Sequence, residues 1–332
     1  MKILTSKRNA IMNEPVILID SALRIIWIIF RTLLLMGLSF IILYPLVYMF
    51  SMAIRPVTQI HDPAVVWIPK VITFENIKTA MEKMNMLNSA FKNNSIANTI
   101  MLDVVSAILQ VCSTAIVGYG FARFKFRFRG FLFGIVIFSM IVPINSIIIP
   151  TYLNLRYFDF FGIGSLLGYI IKGSPYTVSL VDTFGSFYIP AALSSGIRSG
   201  MCIFIFRQFF RGMPKELEDA AAIDGCGSFR TFLQIFVPNA APPVLTTFIF
   251  SIVWYWNDYY YSAMFFPRLS TISISLSSLK SILWTDLSTR DPYVNMITMQ
   301  AGSLITILPL LIFYLVLQRY FTESIERTGI VG

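Results

Sequence analysis

Six apolar stretches of about 20 residues, the length that crosses roughly 30 Å of hydrocarbon, divide this chain of 332 residues. They run 32–54, 95–121, 131–153, 189–210, 244–266 and 301–320. A backbone inside lipid has to satisfy its own N–H and C=O groups, so such spans are read as helices. The expected fold class is all-α: a polytopic membrane protein with six transmembrane helices. Composition points the same way, because 56% of residues are hydrophobic and 13% charged, whereas a soluble domain keeps roughly a quarter charged. A water-soluble enzyme is excluded. A seventh apolar piece, 166–171, is too short to span and reads as interfacial or re-entrant. Residues 1–31 carry both signs of charge and no small-residue cleavage site, unlike a cleavable signal peptide.

The net charge of +9 could serve nucleic acid, but its distribution argues otherwise. With six spans and the N-terminus inside, the inner segments hold 15 Lys and Arg and the much longer outer segments 10. This bias places both termini in the cytoplasm. The run Arg123, Lys125, Arg127, Arg129, interleaved with Phe124, Phe126 and Phe128, then reads as a juxtamembrane anchor on lipid headgroups.

Little chemistry remains available. The lone histidine, His61, leaves no second imidazole for an ordinary zinc site, and Cys112, Cys202 and Cys226 are scattered. No Gly-Lys dipeptide occurs, so no phosphate-binding P-loop exists. The expectation is no catalytic residue, no metal and no cofactor in this chain. Any ATP and magnesium would be bound by other subunits.

The strongly polar inner loop, 211–238, carries the most information. Glu216, Glu218 and Asp219 suit the positive end of a helix, with Pro214 as its first residue. Gly225 supplies a left-handed stop, and Ser228 is read as the cap of a second helix. On that helix Phe229, Phe232, Leu233 and Phe236 fall at i, i+3, i+4 and i+7, which predicts one apolar face. Pro238, Pro242 and Pro243 end it before the fifth span.

Residues Pro214 to Gly225 together with Ile235 to Pro238 resemble the EAA loop of permease subunits in bacterial binding-protein-dependent ABC importers. Met140 to Pro143, Ile149 to Tyr152, Phe206 to Phe210, Trp256 to Asp258 and Leu317 to Phe321 are similar, in order, to the carbohydrate branch of these permeases, the maltose-transporter type. The resemblance implies that Glu216, Glu218, Asp219, Ala220, Ala221, Asp224 and Gly225 form a coupling helix docking on an ATPase, with Glu218 and Asp219 facing basic groups of that partner. It further implies a second permease subunit, two ATPase subunits, an extracytoplasmic binding protein and a saccharide cargo, with no nucleic acid. Asp219 stands where the family usually has glutamate. The stretch 157–188 is longer than usual, and the tail after 322 lacks the usual glycine-rich ending. The domain reading is a cytoplasmic segment 1–31, a membrane domain 32–321 and a tail 322–332.

Ionisable residues within spans are costly and become candidates for a role. Asp103 lies near the outer end of its span and is expected to be wet. Arg198 and Asp258, each placed near mid-membrane by counting, are expected to pair across a cavity, and Trp256, Asn257, Asp258 and Tyr259 offer sugar-binding chemistry. A self-sufficient secondary transporter is the alternative to an importer subunit.

Overall fold

The computed structural model describes residues 2–60, 62, 67–88, 94–160, 162–174, 176–285 and 291–329. His61 lies outside them. The chain divides into two compact units, Met1–Asn76 and Ile77–Gly332.

The first unit is dominated by α1, Lys2–Ala53, which passes through residue 31 without a break. Its apolar side chains from Leu23 to Tyr44 are exposed, as in a helix made for lipid or another chain, while Met52 and Ala53 at its end are buried. At its end Asn76 Nδ2 donates to the carbonyls of Ala53 and Arg55, at 3.1 and 2.8 Å. These carbonyls are the ones a helix terminus leaves unpaired.

The second unit begins within α2, Glu75–Lys83, and is built on α3, Ser95–Arg123. Asn94 caps α3 by accepting from Ala97 N at 3.0 Å. One face of α3 is polar and buried, with Ser95, Asn98, Thr99, Asp103, Ser106, Gln110 and Thr114 recurring at helical spacing. A polar stripe in a membrane helix gains from partners inside the protein, and part of this one finds them: Thr99 Oγ1 accepts from Ile272 N, and Asn98 Nδ2 donates to Ser270 O, while the Asp103 carboxylate and the Ser106 hydroxyl have no hydrogen-bond partner among the described residues.

α4, Arg129–Ile141, and α5, Ile144–Arg156, meet at Pro143 with a bend of 109°. α6 is Ile163–Lys172. The fourth expected span is interrupted: α7, Gly185–Ala192, and α8, Ser199–Gly212, are separated by six non-helical residues in which Ser194 and Arg198 have φ of +56° and +53°. Then come α9, Glu216–Ile223, and α10, Ser228–Thr231, the latter followed by a π-turn, Phe232–Phe236. α11, Val237–Asn239, meets α12, Ala241–Trp256, and the bend here is 78°. The fifth expected span is cut at Asn257, and α13 is only Tyr260–Phe265. α14, Ile272–Thr285, and α15, Pro292–Gly329, complete the unit. No named strand occurs among the described residues, which form an all-α fold. Among the described residues, three helices are long and apolar enough to cross a membrane, or up to five if each bent pair is one span.

The long stretch 157–188 is tied down at several points. Phe158 and Val178 form an antiparallel bridge, and the carboxylate of Asp182 accepts from Arg268 N and Leu269 N, both at 3.0 Å. The Asp159 carboxylate holds the first turn of α6 by accepting from Gly164 N at 2.7 Å and Ser165 N at 3.0 Å. The hydrogen bonds from Ser165 pull its pKa below the ordinary value.

Candidate functional site: the loop between α8 and α12

The loop leaves α8 at Gly212 and turns through Met213, Pro214 and Lys215 into α9. Pro214 is not the first helical residue. It precedes the N-cap, Lys215, and leaves Glu216, Glu218 and Asp219 in the first turn beside the free N–H groups. Gly225 does adopt the left-handed conformation, with φ +76°. There Gly225 N donates to Ala222 O at 3.1 Å and Cys226 N to Ala221 O at 2.8 Å, the pattern that closes a helix on glycine. Ser228 does not cap the next helix; Gly227 holds that place and Ser228 is the first helical residue.

The expected apolar face of the second helix is corrected by the π-turn. Five residues per hydrogen-bonded ring shift the register, so Phe232 and Phe236 are buried with Thr231 while Phe229 and Leu233 are exposed. The buried pair enters an aromatic cluster centred on Tyr119 of α3, whose ring centroid is 4.9 Å from those of Phe232 and Phe236 and 5.8 Å from that of Phe210. Gly118 makes this possible: a Cβ there would sit 2.5 Å from Phe206 Cβ, so α3 and α8 touch backbone to backbone.

Arg123, the last residue of α3, locks the loop to this cluster. Its Nη2 donates to Met213 O at 2.6 Å, its Nε lies 3.5 Å from Glu218 Oε1, and its guanidinium sits 4.9 Å from the Phe236 ring centroid. The Arg123 side chain is 9% exposed and that of Glu218 25%, so this ion pair is shielded more than a surface one. Glu218, expected to face outward, thus turns inward. Outward are Glu216, Asp219, Ala220 and Asp224, around an apolar patch of Ile223, 87% exposed, and Phe229, 69% exposed. Ala221 is buried against the rest of the loop. The exposed face is therefore small, apolar at its centre and acidic at its rim, as suits docking on a partner with basic groups.

Residues 110–327 match the family described as binding-protein-dependent transport system inner membrane component. The chain belongs to that family. It is a permease subunit of a binding-protein-dependent importer, a transport component rather than an enzyme, and a multi-pass protein of the cell membrane. Among relatives, it is 26% identical over 300 residues to the arabinooligosaccharides transport system permease protein AraQ of Halalkalibacterium halodurans, covering 89% of this chain and 93% of that one. It is 23% identical over 299 residues to the sn-glycerol-3-phosphate transport system permease protein UgpE of Brucella abortus strain 2308, covering 89% and 94%. A solved bacterial ABC transporter involved in the import of the acidic polysaccharide alginate includes a chain that superposes with a TM-score of 0.65 at 23% identity, covering 89% of this permease and 96% of that chain.

The permease's intramembrane candidates are not assembled as sequence counting expected. Arg198 is not nine residues into a continuous helix but stands at the break before α8, with its guanidinium 5.3 Å from the Trp254 ring centroid. Asp258 turns onto α13, accepting from Ser262 N at 2.8 Å, Ser262 Oγ at 3.0 Å and Tyr261 N at 3.3 Å. No ion pair joins Arg198 to Asp258 among the described residues; the helix-terminal N–H groups take the place of the guanidinium. Trp256 is buried and donates Nε1–H to Thr306 O at 3.0 Å, which fixes α12 to α15. Asn257 and Tyr259 are exposed. Asp103, expected to be wet, is 1% exposed.

A polar hub that went unnoticed lies on α3. Gln110 Nε2 donates to Ile197 O at 3.0 Å and Ser251 Oγ at 3.2 Å, while its Oε1 accepts from Tyr255 Oη at 2.6 Å. One amide thereby binds the α7–α8 break and α12 together. A glutamine in the middle of an apolar span was the signal that could have found it.

Proposed function

We propose that the permease carries a saccharide, delivered by an extracytoplasmic binding protein, through a pathway formed with a second permease subunit, and that α9 couples it to two separate ATPase subunits. ATP and magnesium belong to those subunits. In this reading the termini and the α8–α12 loop lie in the cytoplasm, which the density of Lys and Arg in the short inner loops supports. Residues 1–31 and the tail after 322 then belong to the cytoplasmic side, and 32–321 to the membrane domain.

The observation that carries the coupling role is the two-sidedness of α9. Its outer face presents Asp219, Ala220, Ile223 and Asp224 to a partner, while its inner side is anchored through Glu218 to Arg123 and through Ala221 to the loop. A push on the outer face cannot be absorbed locally. It passes through Arg123 and the Tyr119 cluster into α3 and α8, which the close contact at Gly118 moves together. The helix acts as a lever with its fulcrum at the end of α3.

The saccharide reading draws on the oligosaccharide permeases among the relatives, AraQ and the starch degradation products permease AmyC of Thermoanaerobacterium thermosulfurigenes. Uptake of radiolabelled oligosaccharides by proteoliposomes holding the complete importer tests both parts. Transport that needs ATP and the binding protein is the expected result, and ion-gradient-driven uptake by this chain alone would overturn the reading.

A further inference from the structure

α4 and α8 bring three arginines together, and neither helix carries an acid. On α4, Arg129 and Phe133 are four residues apart and share a face; on α8, Arg207 and Arg211 do the same. The Arg207 guanidinium lies 3.7 Å from the Phe133 ring centroid, and Phe133 stacks on Phe204 at 6.4 Å, so the two faces meet. The charges of Arg129 and Arg211 accordingly both act on that of Arg207. No ion pair joins any of the three to a carboxylate among the described residues.

Like charges held this close repel, and a guanidinium within a membrane domain needs an anion or water. Arg207 Nε is buried and has no hydrogen-bond partner among the described residues. Arg129 Nη1 donates to Phe124 O at 3.1 Å, which holds the tight turn where Phe128 adopts φ +65° and leaves most of the guanidinium's N–H groups to other acceptors. α4 then starts with no side-chain cap, so the free N–H groups of its first turn add their partial positive charge. Arg123, at the other end of this connection, is already engaged by Glu218 and Met213.

Depth and surroundings select the anion. Arg207 precedes the end of α8 at Gly212 by roughly 7 Å along the helix axis, and Arg211 stands one turn closer to it, which brackets the level of a headgroup phosphate. No residue of α4 is buried, and Phe131, Ile135 and Phe138 are 70, 50 and 64% exposed. A phosphate that carries acyl chains satisfies both the arginines and this apolar surface. A free phosphate, or an acidic side chain of a partner protein, would satisfy the arginines alone.

We propose that Arg129, Arg207 and Arg211 form a site for the phosphate of an anionic phospholipid whose acyl chains lie along α4. Three uncompensated positive charges favour a lipid of net negative charge over a zwitterionic one. The site is independent of the cargo and of the docking face on α9.

The test holds the complete importer in phosphatidylcholine nanodiscs with a graded fraction of spin-labelled phosphatidylglycerol and counts the label that the protein immobilises, with spin-labelled phosphatidylcholine as reference. Wild type should prefer phosphatidylglycerol, and Arg207→Gln combined with Arg211→Gln should cut that preference about fivefold. Lys125→Gln combined with Arg127→Gln removes the same charge from exposed positions in the α3–α4 connection and should stay within about twofold of wild type. Arg211 is exposed, so Arg211→Gln alone keeps the test open if the double variant does not insert, and it should lose at least about twofold. Equal losses in the two double variants would reduce the cluster to diffuse surface charge and overturn the site. Displacement of the labelled lipid by inorganic phosphate at constant ionic strength would overturn the lipid in favour of a free anion. Wild-type lipid preference in the arginine variants, together with loss of the ATPase subunits from the complex, would overturn it in favour of a protein partner.

Discussion

Arg123 Nε and Glu218 Oε1 face each other at 3.5 Å across the junction of α3 and α9. The same guanidinium donates to Met213 O, so one side chain fixes both the entry to α9 and its first turn. Removing the arginine leaves a half-buried carboxylate and an unpaired carbonyl, each of which costs about 1–3 kcal/mol. Arg123→Ala should therefore lower ATP-driven uptake about tenfold with the protein still inserted. Glu218→Gln should lower it less, because the carbonyl contact survives. A double-mutant cycle on thermal stability in detergent should give a coupling energy of about 1 kcal/mol between the two, and an additive cycle would show that the pair transmits nothing.

The α3–α8 contact makes a sharper structural prediction. Gly118→Ala places a methyl 2.5 Å from Phe206 Cβ and 3.1 Å from Arg207 N, and a backbone neighbour cannot move aside as a flexible side chain would. Overpacking of this kind costs about 1–3 kcal/mol. Gly120→Ala, two residues on, meets nothing within 4 Å and should be neutral. The melting temperature of the purified protein should separate the two variants; equal values would contradict the close approach.

How far the sequence reveals this structure depends on which residues speak locally. The run 95–121 became α3 nearly to the residue, since a long proline-free stretch that stays apolar on average despite its polar face, opened by an Asn cap, favours one continuous helix. Gly225 announced its left-handed turn, whereas the 109° bend at Pro143 breaks a stretch, 131–153, that reads as one span. The face of the second loop helix was not legible, because an α-helical count assumes 3.6 residues per turn and the π-turn at Phe232–Phe236 adds to it. Nor was the position of Arg198: counting depth along a span presumes a continuous helix, whereas Ser194, Ser195, Gly196 and Ser199 let the chain break there. The inward turn of Glu218 was hidden for another reason. It depends on Arg123, ninety-five residues away, and nothing local to the loop betrays that pairing.

Acid should loosen the cap on α6. The pKa of Asp159 is held below 3.8 by hydrogen bonds from Ser165 and Gly164, so the carboxylate's contribution is complete above that value and is lost as pH falls through the lower, folded-state value. Pepsin cleavage within 157–188 should accelerate across that acidic window. In Asp159→Asn the cleavage should already be fast at its upper end and should change little with pH. An identical pH profile for the two proteins would remove Asp159 from the cap.

Orientation is open to a direct chemical check. Lys125, in the α3–α4 connection, and Lys215, before α9, are exposed and belong to the inner segments of the proposed topology. Cysteines placed at either position in a chain without its native cysteines should be silent to a membrane-impermeant maleimide in intact cells and should label in opened cells. Labelling from outside would reverse the assignment and put α9 on the wrong face for any cytoplasmic ATPase.

The two sides of α9 can be separated by mutation. Asp219 is exposed at the rim of the docking face and makes no ion pair among the described residues, so Asp219→Lys should leave the melting temperature within about 0.5 kcal/mol of equivalent stability. Facing basic groups on an ATPase, the new lysine should repel them, and the purified complex should lose the ATPase subunit. Gly225→Val acts differently. A β-branched residue resists the φ of +76°, so the turn after α9 should open, with a loss of about 1–2 kcal/mol and a lever that no longer holds its angle. ATPase subunits should still bind this variant, yet hydrolysis should no longer drive uptake. The expected pair is thus lost assembly with a stable subunit for Asp219→Lys, and retained assembly with uncoupled turnover for Gly225→Val. Assembly and uptake at wild-type levels in Asp219→Lys would remove α9's outer face from the ATPase interface.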